Sequence, residues 1–131
     1  MKKYKILIID DERQLADLTK LNFPEDQFIT ETCYNGTDGI IAAQKNKPDL
    51  ILLDVVMPIM DGWDTLLKLR DNPETINIPI IMCTGKDSLR DIDKSFRYGA
   101  QAYVMKPVIF KQLLSKVIAI LKIESSLHDL P

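Results

Sequence analysis

The sequence predicts an α/β fold: a flavodoxin-like, doubly wound parallel sheet of five strands in order 2-1-3-4-5, with five helices. Three observations predict it. Apolar runs of strand length alternate along the chain with longer segments of helical periodicity. Two of these runs, residues 5–9 and 50–53, are apolar at almost every position, as strands covered on both faces are. Between successive strands there is enough chain for a helical crossover, which goes with parallel pairing and right-handed connections. At 131 residues the chain is long enough for one domain with a sizeable core. The expected division is a domain over residues 1–123 and a short tail over residues 124–131.

The first strand, Lys5-Ile6-Leu7-Ile8-Ile9, ends at Asp10-Asp11. A helix over residues 12–22 follows, with Leu15, Leu18 and Leu21 assigned to its inner side. Phe23-Pro24-Glu25-Asp26 turns the chain into a second strand over residues 28–34, whose imperfect alternation fits a sheet edge. Asn35-Gly36 breaks it, and residues 37–46 form a helix carrying Ile40, Ile41 and Ala43. Lys47-Pro48-Asp49 leads into the third strand, which ends at Asp54. Pro58 and Gly62 punctuate the loop beyond, and Asp61 is placed to cap a helix over residues 61–71 with Trp63, Leu66, Leu67 and Leu69. The fourth strand spans residues 78–84 and is entered through Pro79. Asp87-Ser88 opens the fourth helix, with Ser88 and Asp91 at capping-box spacing; Leu89, Ile92 and Phe96 are its apolar side and Gly99 ends it. The fifth strand covers residues 102–105 and the fifth helix residues 109–122. That helix carries one stripe, Phe110, Leu113, Leu114, Val117 and Leu121, widened by Ile109, Ile118 and Ile120.

Composition narrows the function. The chain is 46% hydrophobic and 27% charged, ordinary for a soluble globular protein. A net charge of −2 with no basic run gives no electrostatic footprint for nucleic acid. No segment approaches the length of a membrane span, and the apolar run after Lys2-Lys3 is too short for a signal peptide and ends in two aspartates. A cytoplasmic protein is expected. Cys33 and Cys83 lie in strand-like apolar contexts without CxxC spacing and read as buried, reduced residues. His128 is the only histidine and stands in the tail, which speaks against histidine catalysis and multi-histidine metal binding.

In the 2-1-3-4-5 order, strands one, three, four and five bring their C-terminal ends together, where open α/β sheets place their ligands. Those ends carry Asp10-Asp11, Asp54, Thr84 and Lys106. Clustered carboxylates repel and raise one another's pKa unless a cation joins them. A hard divalent ion with oxygen ligands suits them, and Mg²⁺ typically takes one or two carboxylates with water and a phosphate. Lys106 supplies a point charge for a carboxylate or phosphate oxygen, and Thr84 a hydroxyl donor. A carboxylate nucleophile, a metal, a lysine and a hydroxyl together describe phosphoryl transfer to an aspartate. Singly, each has an ordinary structural reading: Asp10 as a helix cap, Thr84 as a strand end, Lys106 as a solvated lysine beside a proline, Tyr103 as a half-buried strand aromatic.

With these residues in place, the sequence resembles a response-regulator receiver domain of two-component signalling, of the single-domain chemotaxis-regulator type. The resemblance covers residues 5–122 and is carried by Asp10-Asp11, Asp54 with Met57-Pro58 and Asp61-Gly62, Thr84, and Tyr103 with Lys106-Pro107. It implies that Asp54 accepts a phosphoryl group from a phosphohistidine on a histidine kinase or histidine phosphotransfer protein. It implies Mg²⁺, with Mn²⁺ as an alternative, held by Asp11, Asp54, the backbone carbonyl of Val56 and, through water, Asp10. Lys106 would pair with the phosphoryl group beside a cis Lys106-Pro107 bond. Thr84 and Tyr103 would be the switch pair, changing the face made by helix four, strand five and helix five, with Tyr98, Ile109 and Ile118, where a downstream target protein would dock. The implied protein is a phosphoacceptor rather than a turnover enzyme, a monomer or a weak phosphorylation-dependent dimer, without direct contact to nucleic acid or membrane.

Some positions depart from the common pattern. Val108-Ile109-Phe110 is apolar where a polar helix cap often follows the proline, which leaves the start of helix five open and exposes Val108 or Ile109. Gly85 leaves the site open, and Lys86 comes next. Other readings meet specific obstacles. An aspartate-nucleophile phosphatase needs an acid two residues after its nucleophile, and Val56 stands there. A true flavodoxin needs a hydroxyl- and glycine-rich phosphate loop after strand one, and Asp10-Asp11-Glu12 would repel a phosphate in the absence of a metal. A receiver fragment of a transcription regulator or hybrid kinase stays open beside a stand-alone receiver.

Overall fold

The computed structural model describes residues 2–85 and 89–123. Five strands form one sheet: β1 (Tyr4–Ile9), β2 (Phe28–Cys33), β3 (Leu50–Asp54), β4 (Ile80–Thr84) and β5 (Ala102–Met105). The order is β2-β1-β3-β4-β5 with every neighbouring pair parallel, as expected. The connections are α1 (Arg13–Leu21), α2 (Gly36–Asn46), α3 (Gly62–Arg70), α4 (Leu89–Arg97) and, after β5, α5 (Phe110–Leu121).

The continuous apolar runs follow from helices on both faces. Alternate residues of each strand enter different cores. Ile6, Ile8, Leu50, Leu52, Ile81 and Val104 pack with Ala16 of α1 and Leu113, Leu114 and Val117 of α5. Leu7, Ile9, Ile51, Leu53, Ile80 and Met82 pack with Ala42 and Ala43 of α2 and Leu66 and Leu69 of α3. All five residues of β3 are buried, so the central strand delivers Asp54 from inside the molecule.

The helices differ in detail from the sequence expectation. In α1 the buried residue is Ala16, flanked by half-buried Leu15 and Thr19, whereas Leu18 and Leu21 are 56% and 78% exposed. A spacing of three residues drifts by about 60° per step on a helix of 3.6 residues per turn, so the three leucines cannot share one face. Ile41 of α2 and Leu67 of α3 also point outward, their places inside taken by Ala42, Ala43, Leu66 and Leu69. Phe96 of α4 is half-exposed and Ser95 is the buried residue. Cys33 is only partly buried because β2 is an edge strand; Cys83 is buried, and both are free thiols. β2 ends at Cys33, one residue short of Tyr34, and β4 begins at Ile80 because Pro79 lacks the amide to pair earlier.

Caps set the helix starts. Asn35 accepts the amide of Asp38 and Asp61 that of Asp64, as Asp61 was expected to. Glu12 and Ile109 precede α1 and α5 with no side-chain cap, and Ile109 is exposed. The proposed Ser88–Asp91 capping box begins outside the described residues, as do Lys86, Asp87 and the tail with His128. Gly99 follows α4 with φ +98, and Arg70 donates from Nε to its carbonyl at 2.9 Å.

Candidate functional site

Backbone pairing carries four chain segments to one end of the sheet. Asp54 is the last residue of β3 and pairs in register with Cys83, and the amide of Val55 continues the ladder to the Cys83 carbonyl at 3.0 Å. Asp10 follows β1, its amide donating to Cys33 at 3.0 Å. Thr84 ends β4, and the amide of Lys106 donates to its carbonyl at 2.8 Å. The Lys106-Pro107 bond is cis.

Lys106 is the hub. Its ammonium lies 3.0 Å from Oδ1 of Asp54, 3.1 Å from Oδ2 of Asp10 and 3.5 Å from Oε1 of Glu12. Asp54, Asp10 and Lys106 are largely shielded from solvent, with side-chain exposures of 4%, 10% and 16%, so these charges are weakly screened. Asp10 also accepts the amide of Glu12 at 3.0 Å, a bond that ties the turn before α1 and does not cap the helix, whose N-cap is Glu12. Carboxylate oxygens of Asp10, Glu12 and Asp54 lie within 4.8 Å of one another. Burial, then repulsion from Asp10, pushes the Asp54 carboxyl up to about 6, against the opposing pull of Lys106. Burial works against the Lys106 charge, but the hydrogen bond and charge of Asp54, with Asp10, outweigh it and hold the ammonium above its usual range.

The loop after Asp54 is tightly closed. Gly62 donates to the carbonyl of Val55 at 2.8 Å, and a Cβ at Gly62 would collide with the carbonyl of Asp54. Only glycine permits so close an approach. Met57 is buried beneath the loop, whereas Val56 is 63% exposed and Ile59, with φ 69, is wholly exposed.

The family model of the response regulator receiver domain matches residues 6–118. The chain belongs to this family. It is a receiver domain of two-component signalling. It is 35% identical over 118 residues to the transcriptional regulatory protein PcoR of Escherichia coli, covering 90% of this chain and 51% of that protein, so it spans about half the length of that relative. Its structure resembles the chemotaxis protein CheY4 of Vibrio cholerae at 25% identity, with a TM-score of 0.85 over 91% of this chain and 99% of that one. It also resembles the receiver domain of a signal transduction histidine kinase from Syntrophus aciditrophicus at 30% identity, with a TM-score of 0.81 over 98% and 97%.

The receiver fold brings Asp10, Asp54 and Lys106 into direct contact, with buried Thr84 joined to Lys106 through the backbone. Asp11 is half-buried in the same loop but outside the oxygen cluster, whose third member is Glu12. Glu12 was not foreseen as a site residue; the run of three acids was its only signal, and nothing in it says which of them reach Lys106. Tyr103 sits one strand over, opposite Met82, half-buried with its ring edge-on to Phe96 at 6.1 Å. Tyr98, just after α4, has its ring 6.1 Å from that of Trp63 on α3. Among the described residues no helix is long and apolar enough to cross a membrane.

Proposed function

We propose that Asp54 is the phosphoacceptor of this receiver domain and that the phosphoryl group arrives from a phosphohistidine on a histidine kinase or histidine phosphotransfer protein. The observation that carries the reading is the Lys106 ammonium, held by buried Asp54 and Asp10 at the end of the central strand. In the transfer, a carboxylate oxygen of Asp54 bonds to phosphorus as the phosphorus–nitrogen bond breaks, and the electron pair leaves with the imidazole. Lys106, already charged, moves from the carboxylate to a phosphoryl oxygen, and Thr84 donates its hydroxyl to another. The charge of Lys106 and the Thr84 hydroxyl thereby neutralise the charge carried by the phosphoryl oxygens.

The acidic cluster fits a hard divalent cation: its donors are all oxygen, and one lysine does not balance three carboxylates. Asp54 of that cluster, with Asp11 of the adjoining loop and the Val56 carbonyl, would hold Mg²⁺ or Mn²⁺, with Asp10 through water. When bound, the ion would neutralise charge on the transferring phosphoryl group. Exposed, apolar Val56 cannot act as a base toward an attacking water, so the phosphorylated form is long-lived enough to signal.

The output leaves through the face of α4, β5 and α5. A groove of about 480 Å³ there is lined by Tyr103, Met105, Ile109, Gln112 and Lys116. Thr84 moving toward the phosphoryl group makes room for Tyr103 to turn inward, which biases a two-state equilibrium. A target protein reads the result, in the cytoplasm, and the domain itself extends over residues 1–123. Acetyl phosphate with Mg²⁺ is expected to add one base-labile phosphate to the protein. Equal labelling of Asp54→Asn would remove Asp54 from the role.

A further inference from the structure

α4 is lightly held. Its sequence, Leu89–Arg97, is rich in charge, its described buried residue is Ser95, and Phe96 is half-exposed. The fixed point is a stack against Trp63 of α3. Lys94 of α4 lies over the Trp63 ring at 4.6 Å and over the Tyr98 ring at 5.4 Å. The two rings meet edge to face, 6.1 Å apart at 85°. All three residues are half-buried, where a cation over an aromatic face is worth more than in open water. Trp63 stands directly after Gly62, whose amide closes the Asp54 loop on Val55. The stack therefore joins the phosphoacceptor loop to α4 through two helices and one cation.

We propose that Lys94, clasped over Trp63 and Tyr98, is a latch that ties α4 to the start of α3 and sets how readily phosphorylation repositions the output face. The inference rests on the reading of Asp54 as phosphoacceptor and of the α4–β5–α5 face as the part that moves. The stack is present together with the Lys106 bond to the free Asp54 carboxylate, and in this proposal the repositioning of α4 draws Lys94 off the rings, so the stack favours the unswitched state. Weakening the latch lowers the free energy of switching, and by linkage any ligand that favours the switched state binds more tightly.

Beryllofluoride with Mg²⁺, a mimic of the phosphorylated carboxylate, is the probe. Its apparent affinity is measured by fluorine NMR, and Trp63, the only tryptophan in the chain, reports the stack by fluorescence. Lys94→Met keeps the length of the side chain and removes the cation; Lys94→Arg keeps a cation that stacks on aromatic rings. Lys94→Met is expected to tighten beryllofluoride binding about two- to fivefold, the factor such a contact is worth, and Lys94→Arg to restore wild-type affinity. Trp63 emission is expected to change on complex formation in the wild type and much less in Lys94→Met. Unchanged affinity in Lys94→Met, an Arg variant altered as much as the Met variant, or a wild-type complex with unaltered Trp63 emission would each overturn the latch. If the wild type forms no complex, the phosphoacceptor reading fails first and the latch falls with it.

Discussion

Lys106 grips Asp54 at 3.0 Å and Asp10 at 3.1 Å with the same ammonium. One cation between two buried carboxylates leaves an excess negative charge, and burial with the Asp10 repulsion raises the Asp54 pKa to about 6 from 3.8. Between those values the folded chain binds more protons than the unfolded one, so this group makes stability fall as pH rises from about 4 to about 6. Above that window ionised Asp54 opposes folding. Asp54→Asn is expected to raise the melting temperature at pH 7.5 and to change it little at pH 4, where Asp54 is protonated in the fold. Thermal melts at the two pH values check this, and a loss of stability at pH 7.5 would reverse the sign of the argument.

The same charge excess is relieved by a divalent cation. Mg²⁺ is expected to raise the melting temperature by mass action, by about 2.7 kcal/mol of stability at a hundredfold excess over its dissociation constant. Asp11→Ala should remove most of the rise. Glu12→Gln should keep the larger part, because Glu12 is the most exposed member of the cluster. Calorimetric melts of both variants with and without Mg²⁺ decide between the two acids, and a full response in Asp11→Ala would move the ion to Glu12.

Ile59 carries a β-branched side chain at φ 69 and buries none of it. A left-handed backbone costs such a residue roughly 1–2 kcal/mol, and exposure returns nothing. Ile59→Asn is expected to stabilise the fold by roughly 0.5–1 kcal/mol, since asparagine tolerates this conformation. Urea unfolding measures it; a lower midpoint would show that the side chain supports the loop after all.

Gly62 is the opposite case. A methyl group there meets the Asp54 carbonyl and the Val55 Cα, both backbone atoms of the central strand and its loop. Gly62→Ala should destabilise the protein by roughly 2–3 kcal/mol and slow labelling by acetyl phosphate, because relief of the clash displaces the Asp54 loop. Unchanged stability and labelling together would mean that the loop has slack.

Much of this molecule is legible in the chain. The short apolar runs at residues 5–9 and 50–53 suit strands covered on both sides, and five strands alternating with helices favour the parallel order that the sheet has. Asp10, Asp54, Thr84 and Lys106 are readable because the order of a parallel sheet fixes which strand ends are neighbours. The N-cap at Asp61 needs only local chemistry.

Other features depend on orientation in space. The outward turn of Leu18 and Leu21 was hidden because leucines three apart look amphipathic, while α1 packs through Leu15, Ala16 and Thr19. The contact of exposed Glu12 with Lys106 depends on where that lysine reaches from the far edge of the sheet. Lys94 of α4, Tyr98 just after it and Trp63 of α3 have no shared sequence pattern. By itself, then, the sequence determined what repeats along one direction: strand burial, helix periodicity, caps and the groups at strand ends. The tertiary structure alone decided which way each helix turns about its axis and which distant side chains meet, because those depend on packing between segments that no local period encodes.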